Sequence, residues 1–230
     1  RKKKDQGITT VVPALQAEGL SELSQVMLSH GDEDHVGNLK TIAKHINIHQ
    51  LIIGKGMEKI PLMQEMKKKH PKFQWRLVLA GDEWKWNETT WKVLWPKGLS
   101  HAENEDSILA LVTVMKQTIL LTGDASEKVE EAVVKNNPHL QFSILKAGHH
   151  GSRTSSGEAL LTLVQPRLAF ISCGKHNHYG HPSPETLARL KASGAIIFRT
   201  DQDGQIRLRF TTEKLEVTTM LTKRKKELKQ

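Results

Sequence analysis

The spacing of apolar residues changes several times along this chain, and each change predicts a different element. Val26-Met27-Leu28 is an unbroken apolar run, as a buried strand requires. Ahead of it, Val11 to Glu18 fits a short helix with Pro13 in the first turn, where a missing N–H costs no hydrogen bond. Beyond it, Val36, Leu39, Ile42, Ala43 and Ile46 recur at helical spacing. Leu51-Ile52-Ile53 reads as a strand, residues 60–69 as a lysine-rich helix, and Arg76 to Ala80 as a strand turned by Gly81-Asp82-Glu83. From Thr90 to Leu121 the helical period disappears. Trp91 to Trp95 alternates, and Ile108 to Val114 with Thr118 to Leu121 predicts a hairpin closing near Lys116-Gln117. Helix Ser126 to Lys135, strand Phe142 to Leu145, helix 156–164, strand 167–172, helix 184–193 and strand 195–199 follow. Asp203-Gly204 predicts a hairpin turn into Ile206 to Phe210. The last ten residues are charged and are expected to fray. Without internal repeats, this mixture of β-rich stretches and βα alternation points to an α/β (α+β) fold with sheets covered by helices.

Composition narrows the class. With 230 residues, 37% of them hydrophobic, the chain can bury a core as one domain or two small ones. No apolar run approaches the ~18 residues that cross a bilayer, and no signal peptide is visible. The opening Arg1-Lys2-Lys3-Lys4, without Met, reads as part of a longer protein. A net charge of +9 favours polyanionic partners, although Lys67-Lys68-Lys69 and Lys223-Arg224-Lys225-Lys226 fit solvated faces equally well. The single cysteine, Cys173, excludes an intrachain disulfide and reads as an inert thiol at a buried strand.

Candidate chemistry gathers after strands. His30, Asp32, Asp34 and His35 crowd into six residues behind Val26-Met27-Leu28, and four such donors in one loop can converge on divalent cations. A solvated acidic turn is the plain alternative. Asp124 follows a second strand in Leu120-Leu121-Thr122-Gly123-Asp124, where it could instead cap the next helix. His149 and His150 follow a third strand. Three strands ending in His or Asp point to one shared site at a sheet edge. Ser152-Arg153-Thr154-Ser155-Ser156 then opens a helix and fits either a phosphate cradle or ordinary capping. In Gly174-Lys175-His176-Asn177-His178-Tyr179-Gly180-His181-Pro182, the three histidines could form a metal site of their own; the preferred reading has His181 supporting a metal ligand or facing phosphate beside Lys175, with His176 and His178 exposed. His101 and the acids around Asn104 form a weaker, solvated cluster.

Together these stretches resemble the metallo-β-lactamase-fold hydrolases, and within them the C-terminal domain of ComEC-type competence proteins, the channels of DNA uptake. The resemblance is carried by Leu28-Ser29-His30-Gly31-Asp32-Glu33-Asp34-His35-Val36-Gly37, Leu121-Thr122-Gly123-Asp124 and Leu145-Lys146 through His149-His150-Gly151-Ser152-Arg153-Thr154-Ser155-Ser156. Asn177-His178-Tyr179-Gly180-His181-Pro182 and Arg199-Thr200-Asp201-Gln202-Asp203-Gly204 extend it. It implies a four-layer αββα sandwich, N-terminally truncated because the superfamily's early Asp-x-Gly strand is absent. A second departure is Asn104-Glu105-Asp106-Ser107, where the group tends to be Asn-rich. Residues 1–212 would form the hydrolase domain and 213–230 a terminal strand with a basic tail.

By position, the resemblance assigns His30 and Asp32 to one metal, Asp34 and His35 to another, with Asp124 bridging and His149 a further ligand. Asp at position 32, where many members have His, favours Mn²⁺ over an all-nitrogen Zn²⁺ site. Asp34, Asp124 and His150 are the catalytic candidates; Ser152, Arg153, Ser155, Ser156, Lys175 and His181 are the substrate-binding ones. Adjacent side chains on extended backbone point in opposite directions, so only one of His149 and His150 is expected to reach the metal; the resemblance places that ligand at His149. The activity implied is a two-metal phosphodiesterase that degrades the DNA strand not imported. The domain would lie outside the cytoplasmic membrane, attached to the parent's membrane channel, with single-stranded DNA as partner and no small-molecule ligand. Two rivals are a small-phosphodiester hydrolase of the same fold and a non-catalytic module that guides DNA.

Overall fold

The computed structural model describes residues 5–229, so the basic opening Arg1-Lys2-Lys3-Lys4 lies outside the described residues. The chain forms two compact units. One runs up to Leu79 and includes Pro96–Ile108; the other holds Ala80–Trp95 and the residues from Leu109 on.

In the first unit, α1 (Val12–Ala17) continues a π-turn over Gly7–Val11 and carries Pro13 in its first turn, as expected. Strands β1 (Glu22–Met27), β2 (Asn47–Gly54) and β3 (Gln74–Val78) make a parallel sheet in that order, pairing Val26 with Leu51 and Leu51 with Trp75. The helical spacing over 36–46 is realised differently. It divides between α2 (Glu33–Val36) and α3 (Leu39–His45), parted at Gly37-Asn38. Helix α2 starts one residue after Asp32, so Asp34 and His35 stand on a helical turn rather than in a loop. After β2, α4 (Pro61–Lys69) buries Met63 and Met66 and turns Lys67, Lys68 and Lys69 to its C-terminal end, where cations suit the helix dipole. Leu28, Val36, Leu39, Leu51 and Ile53 join those methionines in one core. Each such side chain contributes about 1.5–3 kcal/mol on burial.

The second unit is built on seven strands in the order β10-β9-β8-β7-β6-β5-β4. Strands β4 (Glu83–Trp86), β5 (Thr89–Trp95), β6 (Leu109–Val114) and β7 (Gln117–Leu121) are antiparallel, and the expected hairpin is β6–β7. From β7 the sheet continues in parallel through β8 (Ile144–Lys146), β9 (Leu168–Ile171) and β10 (Ile196–Arg199). Parallel pairing brings the loops after β7, β8 and β9 to one sheet edge, where side chains from separate strands can meet. Helices α5 (Glu127–Asn136), α6 (Glu158–Val164) and α7 (Pro184–Ala192) return the chain between these strands.

Alternation along the strands assigns the two sheet faces. Leu120, Leu145, Ala169 and Ile171 pack with Val129, Val133, Leu160 and Leu190 of the helices. Their neighbours Ile119, Ile144, Leu168 and Phe170 pack instead with Leu215 and Val217 of a third sheet. That antiparallel sheet comprises β11 (Ile206–Phe210), β12 (Lys214–Thr219) and β13 (Lys225–Lys229).

Two expectations are corrected here. Asp203-Gly204 does not close a hairpin, because β10 and β11 belong to different sheets. Thr200–Asp203 is a short helix, α8, and the buried Asp203 carboxylate accepts the Arg199 N–H at 2.9 Å and pairs with Arg224 at 3.2 Å. Lys225–Lys229 do not fray either, since Val217 pairs with Lys226 and Leu215 with Leu228. Among the described residues, no helix is long and apolar enough to cross a membrane.

Candidate metal centre

The first group of donors follows β1. The Gly31 N–H donates to the Ala102 carbonyl at 2.8 Å, and a Cβ on Gly31 would lie 2.7 Å from that of Ala102. Only glycine lets the two segments approach this closely. The result fixes His30, fully buried, next to Ser29. The Ser29 hydroxyl lies 3.0 Å from His30 Nδ1 and 3.2 Å from His35 Nδ1, and the two rings stand 4.2 Å apart. A hydroxyl oxygen can accept two N–H groups. If both Nδ1 atoms donate to it, both Nε2 lone pairs are bare for metal. Each faces a carboxylate: His30 Nε2 lies 3.7 Å from Asp32 Oδ2, and His35 Nε2 3.8 Å from Asp34 Oδ2. These gaps exceed a hydrogen bond. They remain below about 4.2 Å, the widest span two ligands can keep around one ion at about 2.1 Å. The residues therefore fit divalent cations. Asp32 and Asp34 are exposed, as donors open to an incoming cation must be.

The second group lies at the edge reached by β7, β8 and β9. Asp124 is buried, with 4% exposure. His149 Nε2 is 3.9 Å and His150 Nε2 3.5 Å from its Oδ2. The extended backbone assumed for the histidine pair is absent. Residues His149–Gly151 form a 3₁₀ turn in which His149 and His150 have φ of 46° and 54°, so both imidazoles turn towards Asp124. What distinguishes them is the other ring nitrogen. His150 Nδ1 is 2.8 Å from the Ser172 carbonyl. A carbonyl only accepts, so Nδ1 carries a proton, and when the ring is neutral the Nε2 lone pair faces the carboxylate. His149 has an edge-on contact with His181, 5.8 Å between centroids. Gly151, at φ 83°, abuts Pro182; a Cβ there would lie 2.6 Å from the proline's.

The expected phosphate cradle is largely occupied. Ser155 and Ser156 are fully buried. The Ser155 hydroxyl lies 2.7 Å from the Gly148 carbonyl, while the N–H groups of Ser156 and Gly157 donate to Glu130 at 2.9 and 2.7 Å. A carboxylate of the chain itself thus caps α6, and neither serine faces solvent to grip a phosphate. Ser152 is also buried, its hydroxyl 3.1 Å from that of Thr154. Arg153 and Lys175 are exposed, as are His176 and His178. Burial and the neighbouring His149 and His150 hold His181 below the usual imidazole range.

Several contributors carried no pattern of their own. Glu130 lies inside an amphipathic helix, and burial raises its pKa to about 7 against the N–H bonds and Arg189. The Arg189 guanidinium donates to the carbonyls of Arg153, Ser155 and Ser156, tying down the loop. Burial lowers the Lys146 pKa, with Asp124 the main opposing group. Asn177 could have been suspected from its place among the loop histidines. Cys173 lies just beyond β9 and is half-buried rather than in the buried strand expected; its thiol donates to Asp201 at 3.2 Å and is pushed up to about 11 by burial, then by Asp201.

Comparison with known proteins agrees with this fold. Residues 4–176 match the family model of the Metallo-beta-lactamase superfamily. The chain is 32% identical over 209 residues to "ComE operon protein 3" of Bacillus subtilis (strain 168), covering 89% of this chain and 27% of that protein. It is 31% identical over 201 residues to "Competence protein ComA" of Neisseria gonorrhoeae, covering 86% and 27%. The chain thus spans about a quarter of the length of these relatives. Among solved structures, the metallo-beta-lactamase fold protein YhfI from Bacillus subtilis superposes with a TM-score of 0.53 at 13% identity, over 84% of this chain and 79% of that one. The likeness to competence proteins and the metallo-β-lactamase fold, both expected from the motifs, are found.

Proposed function

The chain belongs to the metallo-β-lactamase superfamily, and from that premise we propose that it is a metal-dependent phosphodiesterase acting on single-stranded DNA. One observation carries the reading: imidazole and carboxylate donors recur at 3.5–3.8 Å, the spacing of shared cation ligands. We assign His30, Asp32, Asp34 and His35 of the first group, and Asp124 and His150 of the second, to two divalent cations. Three carboxylates among six donors support a hard ion such as Mn²⁺ over Zn²⁺. When bound, such cations acidify a water and polarise the phosphoryl oxygen.

The remaining steps belong to the chain. Ser29 orients His30 and His35, and the Ser172 carbonyl orients His150, so that lone pairs rather than N–H groups face the carboxylates. His149, relieved of the ligand role first given to it, is available to meet the substrate phosphate. Arg153 and Lys175, both exposed, would grip flanking phosphates. Two observations support DNA as the substrate: the net charge of +9 and the likeness to a protein named for competence. We further propose that the strand degraded is the one not imported, that this happens outside the cytoplasmic membrane, and that the parent protein carries the channel.

The test is Asp34→Ala. Mn²⁺-dependent cleavage of an oligonucleotide should fall by more than about 100-fold, while DNA binding, which rests on distributed Lys and Arg, stays within a few-fold. Near-normal turnover at saturating Mn²⁺ would sink the assignment.

A further inference from the structure

We propose that Tyr179 and His181 form a stacking platform for an unpaired nucleobase of single-stranded DNA, beside the Asp124, His149 and His150 group. This deepens the function proposed above and takes its substrate class from it. Tyr179 is the only tyrosine of the chain and is 83% exposed, although a large aromatic ring ordinarily gains by burial. Its ring lies nearly parallel to that of His181, at 5.9 Å and 16°. His181 meets His149 edge-on at 5.8 Å, and His149 Nε2 lies 3.9 Å from Asp124. The rings form a file leading from solvent to the buried acid.

The loop that presents them is held in shape before any ligand arrives. Asn177 closes it with one side chain: its amide donates to the carbonyls of Gly174 at 3.0 Å and His181 at 2.6 Å, while its oxygen accepts the His181 N–H at 2.9 Å. Just beyond, the Ser183 N–H donates to the Gly151 carbonyl at 2.9 Å, anchoring the loop to the histidine turn. A fixed, solvent-facing aromatic spends little conformational entropy on stacking. Charge selects the partner. No acidic residue stands from position 159 to 184, and Lys175, His176 and His178 on the same loop are exposed. A base can stack on Tyr179 while its phosphate meets this basic rim, the arrangement that binds single strands without reading their sequence. A paired base offers no free face, so duplex DNA is the poorer ligand. An apolar protein segment would gain from the ring but nothing from the rim.

Binding separates this platform from the catalytic reading. The 230-residue chain is titrated in EDTA, by fluorescence anisotropy, with an oligothymidylate and with an abasic oligomer of the same length. The wild type should bind the abasic oligomer about 5- to 100-fold more weakly. Tyr179→Ala should lose most of that difference and Tyr179→Phe should keep it. Equal affinity for both oligomers in the wild type, or an undiminished difference in Tyr179→Ala, overturns the platform. Cleavage with Mn²⁺ is measured on the same preparations. Base-dependent binding without cleavage overturns the phosphodiesterase reading and upholds the platform; cleavage without base-dependent binding does the reverse.

Discussion

At the residue scale, one contact carries our proposal that His150 rather than His149 is the ligand. Both imidazoles lie within metal-sharing distance of Asp124, so distance alone does not choose between them. The proposal rests on the Ser172 carbonyl, which anchors His150 Nδ1 at 2.8 Å and leaves Nε2 of a neutral ring to ligate. We therefore expect His150→Ala to lose most of one equivalent of bound metal in elemental analysis. His149→Ala should keep its metal and turn over DNA about 10-fold or more slowly. The opposite pattern of metal content would restore His149 as the ligand. Nothing in the adjacent letters His149-His150 could reveal this, since the deciding acceptor is a backbone oxygen 22 positions away.

At the element scale, the N-terminus of α6 is where capping and ligand binding compete. Just ahead of it, the N–H groups of Ser156 and Gly157 point at an acceptor, and Glu130 from α5 occupies that place. Burial lifts the Glu130 pKa to about 7, against an ordinary value of 4.5. Between those two values the folded chain holds a proton that the unfolded chain has lost, so this residue makes stability fall as pH rises from about 4.5 to about 7. Glu130→Gln resembles the protonated acid at every pH. Unfolding by denaturant should therefore show variant and wild type alike near pH 4.5, with the variant gaining by pH 8, by roughly 3 kcal/mol at most. Parallel stability curves would show that the carboxyl titrates normally. The helices themselves were legible from spacing. Where α2 and α3 part was not, because the apolar positions run on through Gly37-Asn38 in unbroken helical register.

At the scale of the whole molecule, the surplus of positive charge makes its own prediction. If it serves a phosphate backbone, the affinity for single-stranded DNA should fall steeply with salt, by roughly 0.7 in log K per unit of log salt for each phosphate neutralised. Titrations between about 50 and 200 mM salt measure the slope. A flat response would mean that the charge of +9 serves solubility, and the small-phosphodiester rival would gain. With roughly a quarter of the length of its relatives in this chain, the slope reports the domain's own share of DNA capture.

The amino-acid sequence by itself determined the donor types and the strands that deliver them, because apolar periodicity is a local property written in consecutive letters; its motifs carried the resemblance to the family. The tertiary structure decided which partner each polar group meets. Glu130 fills the cap that Ser155 and Ser156 were expected to offer to phosphate. The Ser172 carbonyl meets the ring of His150, and Asp203 binds Arg199 and Arg224 instead of turning a hairpin. A buried donor or acceptor must find a partner wherever the chain brings one, and that partner stands at no fixed distance in sequence.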